Sequence, residues 1–389
     1  MSKAPPSKRL RTSSSLALDA TRATKQILDA RDARIIGARA VAAACDNWNN
    51  DNKIAARDAI IPLTEMLRGA HDESEAAALA LSKLSRTLDN QVLIAKAGAI
   101  LPLVMLLRNG TDEAKEYAAA TLRNLAVNNE VVIAKAGAIS PLVMLLQNGT
   151  DVAKAQAAAA LAALAEKNRV AIAEVGARPL VTLLQKGTDE QKEYAAEVIR
   201  NLAVGKDEDR NGELIAYEIE EAGALPPLLI LLQEGTDKAK EHAAWALRDL
   251  TSFPEQRIAF AAAGAISPLV ALLQKGTDMA KEQAAMVLAM VVMNNGNSVL
   301  IAAAGAISPL VALLQNGSDK GKDDALFALR NLAENDDNQI TIAAAGAISP
   351  LVALLHSRTV PTWRRRRLRT CLNFSPSTTT TRSPSPRPG

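Results

Sequence analysis

Apolar residues recur in short runs along the chain, and each run is followed by a similar set of turn-forming and polar residues. A typical segment, residues 133–143, reads Ile-Ala-Lys-Ala-Gly-Ala-Ile-Ser-Pro-Leu-Val. Small apolar side chains at helical spacing predict short amphipathic helices. A glycine between two such runs predicts a sharp turn, because glycine tolerates backbone conformations that other residues avoid. The pattern therefore indicates an all-α chain of short helices.

The turn glycine returns at a nearly constant interval. Its copies are Gly98, Gly137, Gly176, Gly223, Gly264, Gly305 and Gly346, at spacings of 39, 39, 47, 41, 41 and 41 residues. A polar insertion at residues 205–212 accounts for the long interval, and a degenerate copy near residues 60–63 carries Asp58 where the others have glycine. A period of about 40 residues is typical of a helical repeat array.

Each repeat is predicted to contain three helices. The first is short and ends at the glycine. The second is predicted to begin at Ser140-Pro141, with the serine as N-cap and the proline in the first helical position. The third is predicted to begin at Thr150-Asp151, where a hydroxyl cap and an acidic residue both favour the helix start.

No single repeat of this kind can bury its apolar face, so neighbouring repeats must stack into a quasi-one-dimensional array. The repeats span residues 33–356 in about eight units, of which the first and last are partial. The recurring Gly-Ala-Ile-Ser-Pro-Leu-Val core resembles the armadillo repeat, most closely in vacuolar-anchor-type and plant-type arrays and more distantly in importin-alpha and beta-catenin. The resemblance implies a right-handed superhelical solenoid of three-helix repeats that binds other proteins in a concave groove.

The resemblance also implies which residues bind a partner. In armadillo proteins the third helix lines the groove, and asparagines on it hold the backbone of an extended peptide, because an amide both donates and accepts hydrogen bonds. The matching asparagines here are Asn124, Asn201 and Asn331, and Asp249 holds the same position in the fifth unit. Ala163, Met290 and Lys83 interrupt the series. The position four residues earlier is aromatic twice, as Trp245 and Phe327.

An acidic residue lies eight positions before the asparagine position in most repeats. The row consists of Glu75, Glu116, Glu193, Glu241, Glu282 and Asp323, with Ala155 as the interruption. It predicts a negative rim that attracts basic, extended peptides. The alternative is that acids near a helix start stabilise the helix dipole and keep the surface soluble. Trp245 likewise has two interpretations, stacking on a partner's cation or packing between repeats.

Charge is segregated along the chain. Residues 1–18 carry four basic residues and no acid, and residues 357–389 carry eight arginines and no acid. Residues 19–356 hold 33 basic and 42 acidic residues, a net charge of −9. We therefore expect no nucleic acid to bind the array, because phosphate contacts need a basic face. Aromatic residues make up only 3% of the chain, so Ala, Leu, Ile and Val must form the core.

The two ends are predicted to lack regular structure. Residues 1–32 form a basic, mostly disordered segment that runs into a first helix, and residues 357–389 form a disordered tail rich in Arg, Ser, Thr and Pro. Basic clusters at residues 8–11 and 364–369 resemble nuclear import signals, which favours a cytoplasmic or nuclear location. The alternatives are inert tails, or autoinhibition by a basic tail that occupies the groove. The last repeat lacks its third helix, which leaves an apolar face for self-association.

Enzymatic activity is not predicted. The three histidines, His71, His242 and His356, occupy unrelated positions in their repeats, and no metal-binding or nucleotide-binding spacing occurs. We expect no cofactor and no metal. The longest apolar run, residues 284–293, is too short for membrane insertion. The sequence predicts a protein-binding scaffold or adaptor for an extended, basic partner segment. The alternatives are a nuclear import adaptor, the substrate-binding arm of a ubiquitin ligase, and an organelle-membrane tether.

Overall fold

The structure is a computed structural model. It describes residues 31–47, 58–204, 210–252, 254–293 and 297–356. Within these ranges the chain is helical and contains no strand, which confirms the all-α prediction. The predicted tails and most of the polar insertion lie outside the described residues.

The chain divides into two compact units, described here separately. Of the described residues, unit 1 comprises 31–202 and 210–222, and unit 2 comprises 203–204 and 223–356. The helices of unit 1 are α1 (Arg31–Ala44, followed by a 3-10 turn at Cys45–Asn47), α2 (Ile60–Met66), α3 (His71–Leu84), α4 (Leu88–Lys96), α5 (Ile100–Asn109), α6 (Asp112–Lys135), α7 (Ile139–Asn148), α8 (Asp151–Lys186), α9 (Asp189–Ala203) and α10 (Arg210–Glu221).

Unit 2 repeats the same order of helices. Its helices are α11 (Leu225–Glu234), α12 (Asp237–Leu250), α13 (Pro254–Ala262), α14 (Ile266–Lys275), α15 (Asp278–Val291), α16 (Asn297–Ala303), α17 (Ile307–Asn316), α18 (Asp319–Leu332), α19 (Asp336–Ala344) and α20 (Ile348–His356). In unit 2 each full repeat therefore contains a short first helix and two longer ones, as predicted, whereas in unit 1 the third helices α6 and α8 continue into the next repeat.

Third helices pack on third helices throughout each unit. In unit 1, α1 packs on α3, α3 on α6, and α6 on the first part of α8; in unit 2, α12 packs on α15 and α15 on α18. Second helices also pack on one another, as α14 does on α11 and α17. Alanines fill the third-helix contacts, and Ala157, Ala158 and Ala160 are fully buried. Small side chains let these helices approach closely, so each unit is a stretch of solenoid. The third helices of a unit form one surface, which we call the third-helix face. In unit 2 this face consists of α12, α15 and α18.

The hydroxyl caps of the third helices are as predicted. Thr150 accepts a hydrogen bond from the backbone N–H of Ala153 at 3.1 Å. Thr111, Thr236, Thr277 and Ser318 make the same contact at the starts of α6, α12, α15 and α18. These caps satisfy backbone donors that have no partner within the helix.

The start of the second helix differs from the prediction. In α7 the helix begins at Ile139, and the N-cap is Ala138, which makes no side-chain cap hydrogen bond. Gly137, at φ 81°, reverses the chain so abruptly that Ala138 already has a helical conformation and accepts from the N–H of Leu142. Ser140 therefore lies inside the first turn. Pro141 is still tolerated there, because backbone N–H groups of a first turn need no helical acceptor.

Gly176 does not form the predicted turn. It lies inside α8, which runs from the third helix of one repeat through the first and second helices of the next. The bend in α8 is at Asn168, whose side-chain amide donates to the carbonyl of Leu164 at 2.8 Å. Two residues after the glycine stands Arg178, where three other repeats have a buried isoleucine, namely Ile100, Ile266 and Ile307. We attribute the missing turn to Arg178, because an exposed arginine cannot anchor the chain in the core as isoleucine does.

We expect opposite effects from alanine at two glycines of the same register. Gly176→Ala should stabilise the chain by about 0.5–1 kcal/mol, because alanine favours helix and its Cβ would meet neighbours no closer than 3.5 Å. Gly305→Ala should destabilise it by about 1–2 kcal/mol, because φ is +84° there. Urea denaturation of both variants measures the difference. Destabilisation by Gly176→Ala similar to that by Gly305→Ala would show that the chain turns at Gly176 after all.

Candidate peptide-binding face

The predicted asparagines make contacts between neighbouring third helices. The amide nitrogen of Asn124 donates to the Ser85 hydroxyl at 2.9 Å. Those of Asn201 and Asn331 donate to the carbonyls of Ala162 at 3.0 Å and Ala289 at 2.9 Å. Each of these contacts links one repeat to the one before it. An amide nitrogen carries two protons, and these contacts use one of them, so a role in holding a peptide backbone remains a prediction.

Four of the predicted acids accept hydrogen bonds from the cap hydroxyl of the next third helix. Their pairs are Glu75 with Thr111, Glu116 with Thr150, Glu241 with Thr277 and Glu282 with Ser318. Thr111, for example, donates to Glu75 at 2.7 Å and accepts from the N–H of Ala114 at 3.1 Å. One hydroxyl thus caps its own helix and fastens it to the preceding repeat. We call this arrangement the acid–cap contact.

Gln191 makes the link between repeats after the position where Ala155 interrupts the acidic row. Its side-chain amide donates to the carbonyl of Asp151 at 2.8 Å, and its oxygen accepts from the backbone N–H of Thr188 at 3.1 Å. Gln191 is buried. A glutamine from the following helix therefore replaces the missing acid.

Two cationic side chains of the protein lie over the Trp245 ring. The guanidinium carbon of Arg248 and the ammonium nitrogen of Lys320 each lie 5.2 Å from the centre of its ring. Arg248 is on the same helix, α12, whereas Lys320 is on α18, two repeats further along unit 2. Cations within about 6 Å of an aromatic face are attracted by the ring's quadrupole. The ring thus stacks on cations, and both come from within the protein.

Arg248 is fixed by further contacts. It donates to Asp249 through Nε at 2.9 Å and to Gln283 of α15 through Nη1 at 2.8 Å. A similar arrangement occurs in unit 1, where Arg123 lies 5.2 Å from the centre of the Tyr194 ring and donates to Gln156 at 3.4 Å. An arginine beside the asparagine position therefore bridges successive third helices in both units.

Asp324 is the most strongly perturbed carboxyl group of the described residues. It is 4% exposed, and it lies near Glu282, which is 6% exposed. Burial raises the pKa of Asp324 to about 7, Glu282 and Asp323 raise it as well, and Lys320 and Arg248 oppose the shift. Its Oδ2 atom is buried and has no hydrogen-bond partner in the described part of the chain.

The third-helix face of unit 1 is also acidic. Burial raises the pKa of Glu116, and nearby Glu113 raises it further, while the hydrogen bond from Thr150 lowers it. The pKa of Tyr117 is raised by burial and by the neighbouring carboxylates of Glu116, Glu75 and Glu113. Both shifts reflect burial first, and then the negative charge on α3 and α6.

The remaining predicted residues, Glu193 on α9 and Asp323 and Phe327 on α18, are half-buried, and each interacts with other parts of the structure. Arg248, Lys320 and Asp324 were not among the residues predicted from the sequence. Arg248 stands three residues after Trp245, a spacing that places both on one helix side and could have identified it. Lys320 and Asp324 carry no such signal, because their relation to Trp245 depends on stacking across two repeats.

Two further features bear on the class of site. In the described ranges, no group of three or more His, Cys, Asp or Glu side chains is placed to hold a metal ion. Among the same residues no single helix is long and apolar enough to cross a membrane, although three sharply bent helix pairs meet those criteria together.

Comparisons with known proteins identify the repeat. The armadillo/beta-catenin-like repeat family matches residues 88–127, 213–252 and 294–334. The chain is similar to an engineered protein of known crystal structure, with 27% sequence identity and a TM-score of 0.80 over 91% of this chain and 88% of that one. No curated protein matches the sequence. Armadillo repeats generally serve as protein-binding scaffolds rather than as enzymes.

Proposed function

Because this chain is an armadillo-repeat protein, we propose that it is a scaffold whose third-helix face binds an extended, basic segment of a partner protein. The observation that carries the proposal is the Trp245 ring, which lies 5.2 Å from two cationic groups on a face rich in carboxylates. A ring that already stacks on cations has the geometry to receive those of a partner.

Charge supports a basic partner. Carboxyl groups lie close to the two cations on Trp245. Asp324 interacts with Lys320 and Arg248 and has Glu282 and Asp323 as neighbours, while Glu241 and Asp249 lie one turn before and after Trp245 on α12. Over the whole of α12, α15 and α18 there are eight Asp and Glu residues and seven Lys and Arg residues. An excess of negative charge speeds association with a basic segment and disfavours acidic ones.

An extended partner conformation is supported by the asparagines. Peptide bonds in an extended segment offer N–H and C=O groups at regular intervals, and amide side chains bind both. The interrupted series, with Ala163 and Met290 at two positions, disfavours the alternative of a nuclear import adaptor.

We expect Trp245→Ala to weaken the binding of a short peptide of alternating arginine and glycine by about tenfold or more, because buried aromatic anchors dominate such interfaces. Isothermal titration calorimetry with the full-length chain measures the effect. Tyr217→Ala is the matched control, since Tyr217 is exposed on α10, outside the third-helix face, and should leave affinity unchanged.

A peptide with glutamine in place of arginine should bind much more weakly, and added salt should weaken the arginine peptide. Equal affinity of the two peptides, or equal effects of the two alanine variants, would refute the proposed site.

A further inference from the structure

Lys320 differs from the other groups around Trp245 in how it is held. It is exposed in the first turn of α18, and it makes no hydrogen bond or ion pair with the residues that the structure describes. Its ammonium group lies against the Trp245 ring and close enough to Asp324, four residues along the same helix, to lower the pKa of that carboxyl group. A flexible lysine side chain with only these contacts can move away from the ring at a small cost in free energy.

Arg248, by contrast, is a fixed part of the site. Its hydrogen bonds to Asp249 and Gln283, at 2.9 and 2.8 Å, hold the guanidinium against one side of the ring. Planar guanidinium groups with several such bonds are well ordered. Of the two cations on Trp245, only Lys320 is therefore readily exchanged.

The carboxylates beside Lys320 are arranged for a cation. Asp324 and Glu282 are more than nine-tenths buried, and Oδ2 of Asp324 lacks a hydrogen-bond partner in the described residues. A buried carboxyl oxygen without a hydrogen-bond partner is energetically costly, and a cationic donor would relieve that cost and favour the ionised form. The site thus retains an acceptor that Lys320, as placed, does not satisfy.

We infer that Lys320 is a resident competitor, whose ammonium group occupies the position on Trp245 that a partner's lysine or arginine side chain takes when it binds. The inference rests on the proposed function and adds a means of regulation. A partner's cation displaces Lys320, stacks on Trp245 and reaches the carboxylates. Neutralising Lys320, as acetylation of this exposed side chain does, removes the competitor and tightens partner binding.

The test compares two lysines of one helix in the full-length chain. Lys320→Gln and Lys322→Gln remove the same charge from α18, but only the first removes a cation from the Trp245 ring. We expect Lys320→Gln to bind the arginine–glycine peptide about threefold to tenfold more tightly than Lys322→Gln, as measured by calorimetry. Circular dichroism checks that both variants are folded.

Fluorescence gives a second readout without peptide. Trp48→Phe with Trp363→Phe leaves Trp245 as the sole tryptophan. In this background Lys320→Gln should increase quenching of Trp245 by acrylamide, and Lys322→Gln should not.

The outcomes separate the two proposals. Binding of the peptide by the wild-type chain with equal affinities for the two glutamine variants overturns the competitor role and leaves the proposed function standing. Weaker binding by Lys320→Gln also overturns it, because Lys320 would then assist the partner. Failure of every variant to bind the peptide overturns both.

Discussion

Relative to Asp324→Asn, the wild-type chain should lose stability as the pH rises from about 4 to about 7. The cause is the buried carboxyl group of Asp324, whose pKa is raised from 3.8 to about 7 in the folded chain. Below pH 4 the group is protonated whether the chain is folded or unfolded. Between these values the unfolded chain releases its proton and the folded chain retains it, so each increase in pH favours unfolding.

The size of this effect follows from the shift. A difference of about three pKa units corresponds to about 4 kcal/mol of unfolding free energy. Urea denaturation at pH 4.5 and pH 8 roughly spans the titration. The free energy of unfolding of Asp324→Asn, relative to that of the wild type, should therefore be higher at pH 8 than at pH 4.5 by up to about this amount. Asp337→Asn, which removes an exposed carboxylate on α19, controls for the change in net charge. A constant difference between wild type and Asp324→Asn at the two pH values would contradict the burial of this carboxyl group.

Phe260→Ala should destabilise unit 2 by about 3–5 kcal/mol, because it empties a large buried site between helices. Phe260 is 1% exposed and has the largest volume of the fully buried side chains. It stands four residues before the turn at Gly264, where other repeats have isoleucines such as Ile133 and Ile301. Thermal or urea denaturation followed by circular dichroism measures the loss.

The control lies two residues away on the same helix. Ile258 is 62% exposed, so Ile258→Ala should change the unfolding free energy by no more than about 0.5 kcal/mol. Similar losses for the two variants would mean that α13 does not pack in the orientation described.

The repeat architecture could be predicted because the turn glycines recur at regular intervals along the sequence. Near-identical turns recur at Gly98, Gly137 and Gly305, and each is found with positive φ. Single capping or turn residues were less reliable predictors, because neighbouring residues also determine where a helix begins or ends. Ser140 has a good capping side chain, yet the turn at Gly137 starts the helix one residue earlier. Gly176 matches the period, yet the chain stays helical there.

The candidate site was predictable only in part, for a physical reason. The row of acids could be placed on the third helices from its spacing alone. Its hydrogen bonds with cap hydroxyls of the next repeat could not, because they join residues such as Glu75 and Thr111, 36 positions apart. The approach of Lys320 to Trp245 spans two repeats and depends on how third helices stack. Helical spacing within one repeat does not encode such contacts.

The acid–cap contact gives the acids a role in stability that is compatible with binding. A carboxylate has two oxygens and accepts several hydrogen bonds, so Glu241 can hold Thr277 and still contribute negative charge to the face. The acid–cap contact is distinct from both predicted roles of the acidic row, so substitutions in this row would affect folding as well as the proposed binding. Trp245 and Lys320 are better probes of binding.

The location of the bound peptide on the array shows whether the third-helix face of unit 2 is the binding surface. The arginine–glycine peptide, carrying a benzophenone group, is irradiated with the full-length chain, and the adducts are mapped by mass spectrometry against the glutamine peptide as control. We expect adducts on the third helices of unit 2, α12, α15 and α18, and their loss in Trp245→Ala. Adducts concentrated on the second helices α11, α14 and α17, unchanged by Trp245→Ala, would contradict this expectation.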